Sequence, residues 1–304
     1  MTEKTLLIKS RDNIHSLFCR LYIPEGEPKG VFQAVHGMTE HGGRYEEFLR
    51  CLCNKGYLCF IHDNLGHGKS VKDDSELGFI AEKNGFKILV DDCQAVYEAV
   101  NELYPNKKHY LLGHSMGSFI TRLYLSKYGE SLSGYIMMGS GAGNPAANLG
   151  LILTRLIAKL KGSHYISPFM ENMAFAGYNK GFTEGEKAWL SCDKTTREKY
   201  LKDKYCTFKF TVSAMNDLIR LNKECNTKKW YRSLPKDCPI FIVSGENDPV
   251  GEHSKGIKKV YSNLKKQNCY NVNLKLYSGA RHEILNDFCR EEVIRDIIKF
   301  LDNK

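Results

Sequence analysis

Ser115 stands in the stretch HYLLGHSMGSFI (109–120), where an apolar run stops at a serine with a glycine two residues away on either side, and an apolar helical pattern then resumes. Strand, tight turn and helix in that order are the setting in which G-x-S-x-G holds a nucleophilic serine out at the carboxyl edge of a sheet. Such a turn forces strained dihedrals at Ser115, so positions 113 and 117 must be nearly free of side chain. The same turn starts a helix at Met116, whose amide is aimed at negative charge developing on a substrate oxygen. A loose turn is the alternative, and the presence of partners decides between the two.

A serine hydroxyl is a poor nucleophile at neutral pH, so a base must take its proton, and a histidine oriented by a carboxylate is the usual solution. PIFIVSGENDPVG (239–251) supplies Asp248 just past a buried apolar run, and LKLYSGARHEILND (274–287) supplies His282 just past the next. Glu246 competes with Asp248 on the same loop, Asp287 competes more weakly, and His253 is the other late histidine. The second oxyanion donor belongs after the third strand. There VFQAVHGMTEHGG (31–43) places His36-Gly37 and, next, the backbone amide of Met38. His36, His41, His62 and His67 lack the HxHxDH or HExxH spacing of hydrolytic metal sites, so no metal is expected.

These residues need a scaffold, and the chain carries the signals of one. TLLIK (5–9), LFCRLYI (17–23) and GVFQAVH (30–36) read as strands, the first two joined as a hairpin through a polar RDN turn. LCFIHD (58–63), HYLLG (109–113), GYIMMG (134–139), PIFIVSG (239–245) and VNLKLY (272–277) are short apolar runs of the kind found in parallel strands buried on both faces. Helical patterns lie between them, clearest at 84–104, where Phe86, Leu89, Val90, Cys93, Val96, Tyr97, Val100 and Leu103 recur at three- and four-residue steps, and again at 288–301. Strands alternating with helices imply a mostly parallel sheet covered on both sides.

From Asn144 to about Leu234 the rhythm breaks into helix-like patterns and loops, as expected of an inserted helical lid of roughly 90 residues. Its AANLGLILTRLIAKLK (146–161) carries Leu149, Ile152, Leu153, Leu156, Ile157 and Leu160 along one face, with Arg155 and Lys159 elsewhere. That helix either packs on the main domain or touches membrane or an acyl chain.

The 304 residues, 42% hydrophobic and 26% charged, are long enough for a large core and ordinary for a soluble globular chain. The N-terminus MTEKTLLIKSRDN has charges where a signal peptide needs an apolar core, so a cytoplasmic location is expected. The eleven cysteines are scattered, with no CxxC pair, and read as small core hydrophobes of a reducing compartment. A formal charge of +9 comes from short lysine pairs separated by acids, without the interleaved aromatics of a nucleic-acid binder, so no nucleic-acid partner is expected.

HGMTEHGGRY (36–45), HDNLGHGKS (62–70), GHSMG (113–117), GENDPV (245–250) and RHEILN (281–286) together resemble the α/β-hydrolase superfamily. Within it they are similar to the monoacylglycerol lipase and lysophospholipase group, also labelled serine aminopeptidase-like hydrolases, over nearly the whole chain. The resemblance implies an α/β-hydrolase fold, a mostly parallel central sheet of about eight strands flanked by helices. It places the core at 1–143 and 235–304 and a helical cap over an acyl pocket at 144–234. It implies Ser115, Asp248 and His282 as the triad, with Met38 and Met116 as oxyanion amides and no cofactor. Glu40, His41, Arg44, Asp63 and His67 also match family positions and are expected to be structural. Ser118 departs from the family's usual GHSMGG.

The expected activity is a serine carboxylester hydrolase acting on a small-molecule acyl ester, a monoacylglycerol or lysophospholipid, through an acyl-enzyme intermediate, with Leu151, Ile152, Phe169, Met170, Met173 and Phe175 as candidate lining for an acyl chain. An aminopeptidase or amidase would use the same triad, with Glu171, Glu184 or Glu186 holding the substrate amine. A non-catalytic receptor or carrier of a hydrophobic ligand is the rival of another class.

Overall fold

The computed structural model describes residues 1–303. Eight strands form one sheet: β1 (Thr2–Lys9), β2 (Ser16–Ile23), β3 (Gly30–Val35), β4 (Tyr57–His62), β5 (His109–His114), β6 (Leu132–Met138), β7 (Ile240–Gly245) and β8 (Val272–Tyr277), in the order β1-β2-β4-β3-β5-β6-β7-β8. β1 and β2 form the expected hairpin, with Lys9 opposite Ser16, and β2 runs antiparallel to β4. All later pairings are parallel. β3, β4, β5 and β7 are buried at every position, which is why they read as unbroken apolar runs. β1 lies at the edge and alternates only weakly.

Ten α-helices accompany the sheet among the described residues: α1 (Glu46–Cys53), α2 (Gly85–Leu103), α3 (Met116–Tyr128), α4 (Ala147–Lys161), α5 (Pro168–Phe175), α6 (Lys194–Lys202), α7 (Val212–Glu224), α8 (Lys228–Arg232), α9 (Lys255–Lys266) and α10 (Arg290–Asp302). Strand alternation sorts the core into two layers. Val31, Val35, Leu58, Phe60 and Leu111 face one side, with Leu89 and Val96 of α2, Ile120 and Tyr124 of α3, and Val260 of α9. Phe32, Ala34, Ile61, Leu112 and Ile136 face the other, with Leu49 and Leu52 of α1 and Val293 and Ile297 of α10. This is the expected α/β-hydrolase architecture.

Between β6 and β7 lie α4 to α8 and no strand. Four of these helices start at side chains suited to satisfy free N–H groups: Ser167, Asp193, Thr211 and Thr227 each accept from an amide of the first turn. The fully buried Arg122 of α3 anchors the segment, donating to Gly141 O at 3.0 Å, Cys225 O at 2.5 Å and Asn226 Oδ1 at 2.8 Å, while Trp230 Nε1 donates back to Arg122 O at 2.6 Å.

α4 packs through a different face from the one its leucine stripe marked. Its buried residues are Ala147, Gly150, Leu151 and Thr154, which turn toward α7, where Asn216 donates to Thr154 at 2.7 Å. Leu149, Ile152, Leu156 and Leu160 face outward, each more than half exposed. Small residues permit the closer approach of two helices, and Ala147, Gly150 and Thr154 take the contact together with Leu151. No helix among the described residues is long and apolar enough to cross a membrane.

Candidate active site

Parallel register brings the carboxyl ends of five strands to one edge: Val35 pairs with Gly113, His114 with Met138, and Gly245 with Tyr277. The loops after β3, β5, β7 and β8 therefore meet there, and they carry Met38, Ser115, Asp248 and His282. This is the usual site for chemistry in an α/β sheet.

Ser115 joins β5 to α3 with φ 54° and ψ −121°, a left-handed conformation that a non-glycine residue holds only when its surroundings impose it. Its N–H donates to Met138 O at 3.1 Å, and its carbonyl accepts from Ser118 N at 2.9 Å. A Cβ at Gly113 would lie 2.0 Å from Thr121 Oγ1, and one at Gly117 would lie 2.2 Å from Val35 O. Both glycines are thus required by contact, as the motif implied. Ser118 is buried, and its hydroxyl donates to Ser115 O at 2.5 Å, so the departure from the family pattern is accommodated by a local bond.

Asp248, fully buried, accepts from Val250 N at 2.8 Å and sits with both carboxylate oxygens 3.0 Å from His282 Nδ1. Since a carboxylate can only accept, Nδ1 carries the hydrogen and Nε2 is the nitrogen left to act as a base. His282 is 2% exposed, its ring against Trp189 with centroids 5.1 Å apart. The competing carboxylates are engaged elsewhere: Glu246 accepts from Ser278 at 2.9 Å, and Asp287 accepts from Cys192 N at 3.1 Å and Arg281 N at 3.2 Å. His253 is exposed.

Ser115, His282, Met38 and Met116 line one cavity of about 840 Å³, with Asp248 fully buried behind His282. The ring atom Cε1 of His282 lies 3.2 Å from the position a Cβ would take on Gly139, the residue after the carbonyl that holds Ser115. Of the residues expected to line an acyl pocket, Met170, Met173 and Phe175 do so. Leu151, Ile152 and Phe169 do not: Leu151 is buried in helix packing, while Ile152 and Phe169 are 53% and 60% exposed, because the rotation of α4 and α5 is set by their packing partners. Phe119, Phe208, Phe210, Met215, Leu218 and Ile219 take their place on the wall. The apolar spacing of α7 was a signal for the last three.

A buried polar network underlies the site. Glu40 Oε1 accepts from Gly37 N at 2.5 Å and from Tyr45 at 2.9 Å, and lies 3.0 Å from His114 Nδ1. Arg44 spans from Glu40 Oε2, at 2.9 Å, to Glu283, at 2.7 and 2.6 Å. Thr39 holds φ 50°, and its carbonyl accepts from Tyr200 at 2.9 Å. Asp63 closes the neighbouring turn, accepting from Gly42 N, Lys69 N and Arg20, each at 2.8 Å. His67 Nδ1 lies 2.9 Å from Leu65 O, and burial pushes its pKa down to about 4, a neutral structural ring.

His41, Asp203 and Cys206 are the one group among the described residues whose potential metal ligands converge, within 4.8 Å of one another. His41 Nε2 pairs with Asp203 at 2.9 Å, and burial pushes the Cys206 thiol pKa up, which disfavours the thiolate a metal would need. The group therefore reads as a His41–Asp203 hydrogen bond beside a protonated thiol.

The fold and the residues at its carboxyl edge define an α/β hydrolase. The chain belongs to the serine aminopeptidase S33 family, whose profile matches residues 26–288. It is 28% identical to the human monoglyceride lipase over 275 residues, covering 88% of this chain and 79% of that protein. It is 27% identical to a monoglyceride lipase homolog of monkeypox virus over 301 residues, 95% of each. A thermostable carboxyl esterase from Bacillus coagulans, solved in complex with glycerol, superposes with a TM-score of 0.94 at 26% identity, over 100% of this chain and 99% of that one.

Proposed function

We propose that the protein is a serine carboxylester hydrolase that cleaves acyl esters of the monoacylglycerol or lysophospholipid type through an acyl-enzyme intermediate. The observation that carries this reading is His282 Nδ1 held 3.0 Å from both oxygens of the buried Asp248, with the ring on the same cavity wall as Ser115. Ser115 attacks the ester carbonyl, and His282 Nε2 takes its proton and later passes it to the leaving alcohol. Asp248 fixes the tautomer and stabilises the cation. The amides of Met38 and Met116 receive the oxyanion, each contributing roughly 3 to 4 kcal/mol to the transition state. Water then releases the acid.

In this reading residues 144–234 form a cap over the core of 1–143 and 235–304, and the Phe, Met, Leu and Ile side chains of the cavity wall receive the acyl chain. The names of the relatives, monoglyceride lipases and a carboxyl esterase, point the same way. The outward apolar face of α4, with Arg155, Lys159 and Lys161 exposed beside it, brings the cap to an anionic lipid surface.

The amidase reading needs a free acid near the cavity. Glu171 is paired with Lys209 at 2.9 Å and Glu184 with Arg281, which leaves Glu186, exposed and on the cavity wall, as the one of the three candidates without an ion pair among the described residues. The relatives' names weigh toward the ester, and Glu186 keeps the amidase reading open to test.

Ser115→Ala tests the mechanism. The folded variant is expected to lose turnover of p-nitrophenyl esters and labelling by a fluorophosphonate probe, and undiminished turnover would refute the reading. Within the wild type, activity rising from acetyl to longer acyl esters is expected. Cleavage of aminoacyl-naphthylamides without ester turnover would transfer the assignment to an aminopeptidase.

A further inference from the structure

His114 precedes the serine and takes no part in the proton transfers above. It is 4% exposed, and both ring nitrogens lie within hydrogen-bond distance of protein groups. Nδ1 lies 2.7 Å from the Tyr45 hydroxyl and 3.0 Å from Glu40 Oε1. Tyr45 has one proton and donates it to Glu40 at 2.9 Å, so toward His114 its oxygen can only accept. A lone pair on Nδ1 would also face a carboxylate oxygen, and Nδ1 therefore carries hydrogen. Nε2 faces the main-chain carbonyl of His282 at 3.3 Å. A carbonyl has no proton to give, so Nε2 must donate as well. Acceptors at both nitrogens leave one state, the imidazolium.

Charge balance agrees. Glu40 and Glu283 share the single guanidinium of Arg44, which would leave one buried negative charge uncompensated. A protonated His114 cancels it. Burial alone would strip the proton, but the hydrogen bond and charge of Glu40 outweigh burial and hold the His114 pKa above its ordinary range. Glu40, for its part, is held well below the ordinary carboxylate range in spite of its burial, with His114 and Arg44 as its partners.

We propose that His114 is a permanently protonated positioning residue, an imidazolium that ties the oxyanion loop to the backbone of His282. Through Glu40 it holds the Gly37 amide, one residue before Met38, and through Nε2 it holds the carbonyl of residue 282. It is itself joined to Ser115. One cation thereby fixes the three segments that bear the oxyanion donor, the nucleophile and the base. The groups around it are Glu40 and Tyr45 after β3, with Arg44 beyond them, and the His282 ring, at 4.8 Å between centroids, with Glu283 after β8. The catalytic consequence rests on the triad reading, whereas the protonation state stands without it.

The test begins with imidazole ¹⁵N–¹H correlation spectra of the labelled wild type between about pH 6 and 9, the range in which an ordinary histidine loses its charge. One histidine is expected to keep both nitrogens protonated throughout, to vanish in His114→Gln and to become neutral in Glu40→Gln. A singly protonated His114 near neutral pH would overturn the proposal. His114→Asn keeps a donor toward Glu40 and gives up the bond to residue 282, and its kcat should fall roughly 100-fold with KM little changed, the scale of a misplaced reacting group. His114→Gln, which can still reach residue 282, should recover part of that loss. Full kcat in a folded His114→Asn would remove the positioning role. Full turnover in Ser115→Ala would instead sink the triad and leave the spectra as they are.

Discussion

Asp217 places a carboxyl group inside the contact between α7 and α2, where it is 3% exposed and accepts from the Phe86 amide. Burial pushes its pKa up to about 7 from an ordinary 3.8, against the opposing pulls of the Phe86 amide and Arg220. Asp92, buried against Ser10 and the Arg11 amide, is likewise pushed up to about 7 by burial. A folded state that holds such protons more tightly than the unfolded chain has their stabilisation in full below about pH 4 and loses it as the pH climbs through about 7. The share of the unfolding free energy owed to each carboxyl should therefore decline between about pH 4 and 7, by an amount on the order of 4 kcal/mol at most, while the buried His36, His62, His67 and His109, whose pKa values burial pushes down to about 3, 4, 4 and 3, tilt the whole profile the other way. Asp217→Asn should flatten its share of that decline in denaturant titrations. A difference between wild type and Asp217→Asn that stays constant from about pH 4 to 7 would contradict the assignment.

α4 carries the argument at the level of the element. Leu149, Ile152, Leu156 and Leu160 spend an apolar face on solvent while Gly150 and Thr154 pack inward, and the basic residues flanking that face match an anionic surface. Co-sedimentation with phosphatidylglycerol vesicles is the expected behaviour of the wild type. Neutralising Arg155 and Lys159 removes two surface charges of about 1 kcal/mol each, so the affinity should drop roughly 30-fold. A wild type that leaves such vesicles unbound would end the membrane reading without touching the hydrolase one.

Across the whole molecule, the segment from β6 to β7 is held unevenly. The loop bearing His282 is bonded to it directly: Glu283 N donates to Leu190 O at 2.8 Å, Arg281 to Ala188 O at 2.7 Å, and Ser191 Oγ to Asn286 O at 2.8 Å. α7 and α8 are fastened through Arg122 and Trp230. α4 and α5 present large exposed apolar side chains instead. Hydrogen exchange should accordingly show 188–191 protected together with the 281–286 loop, and α4 and α5 opening at lower cost. Exchange of the 188–191 amides as fast as those of α5 would mean that the 281–286 loop is not anchored there, and that the entire segment moves as one lid.

Local chemistry made much of this protein legible before any coordinates. Eight strand signals specified eight strands, four of them as nearly unbroken apolar runs because strands buried on both faces have little choice of residue, and Gly113 and Gly117 marked the turn because no side chain fits against Thr121 and Val35. Asp248 and His282 could be picked out because each follows a strand end on the edge where Ser115 emerges. The rotation of α4 and the true cavity wall were not readable, since an apolar stripe does not say which neighbour it will meet, and Ala147, Gly150 and Thr154 took that contact together with Leu151. Nor was the state of His114 readable: its two protons follow from acceptors contributed by residues 40, 45 and 282, which only the folded chain brings to both sides of one ring.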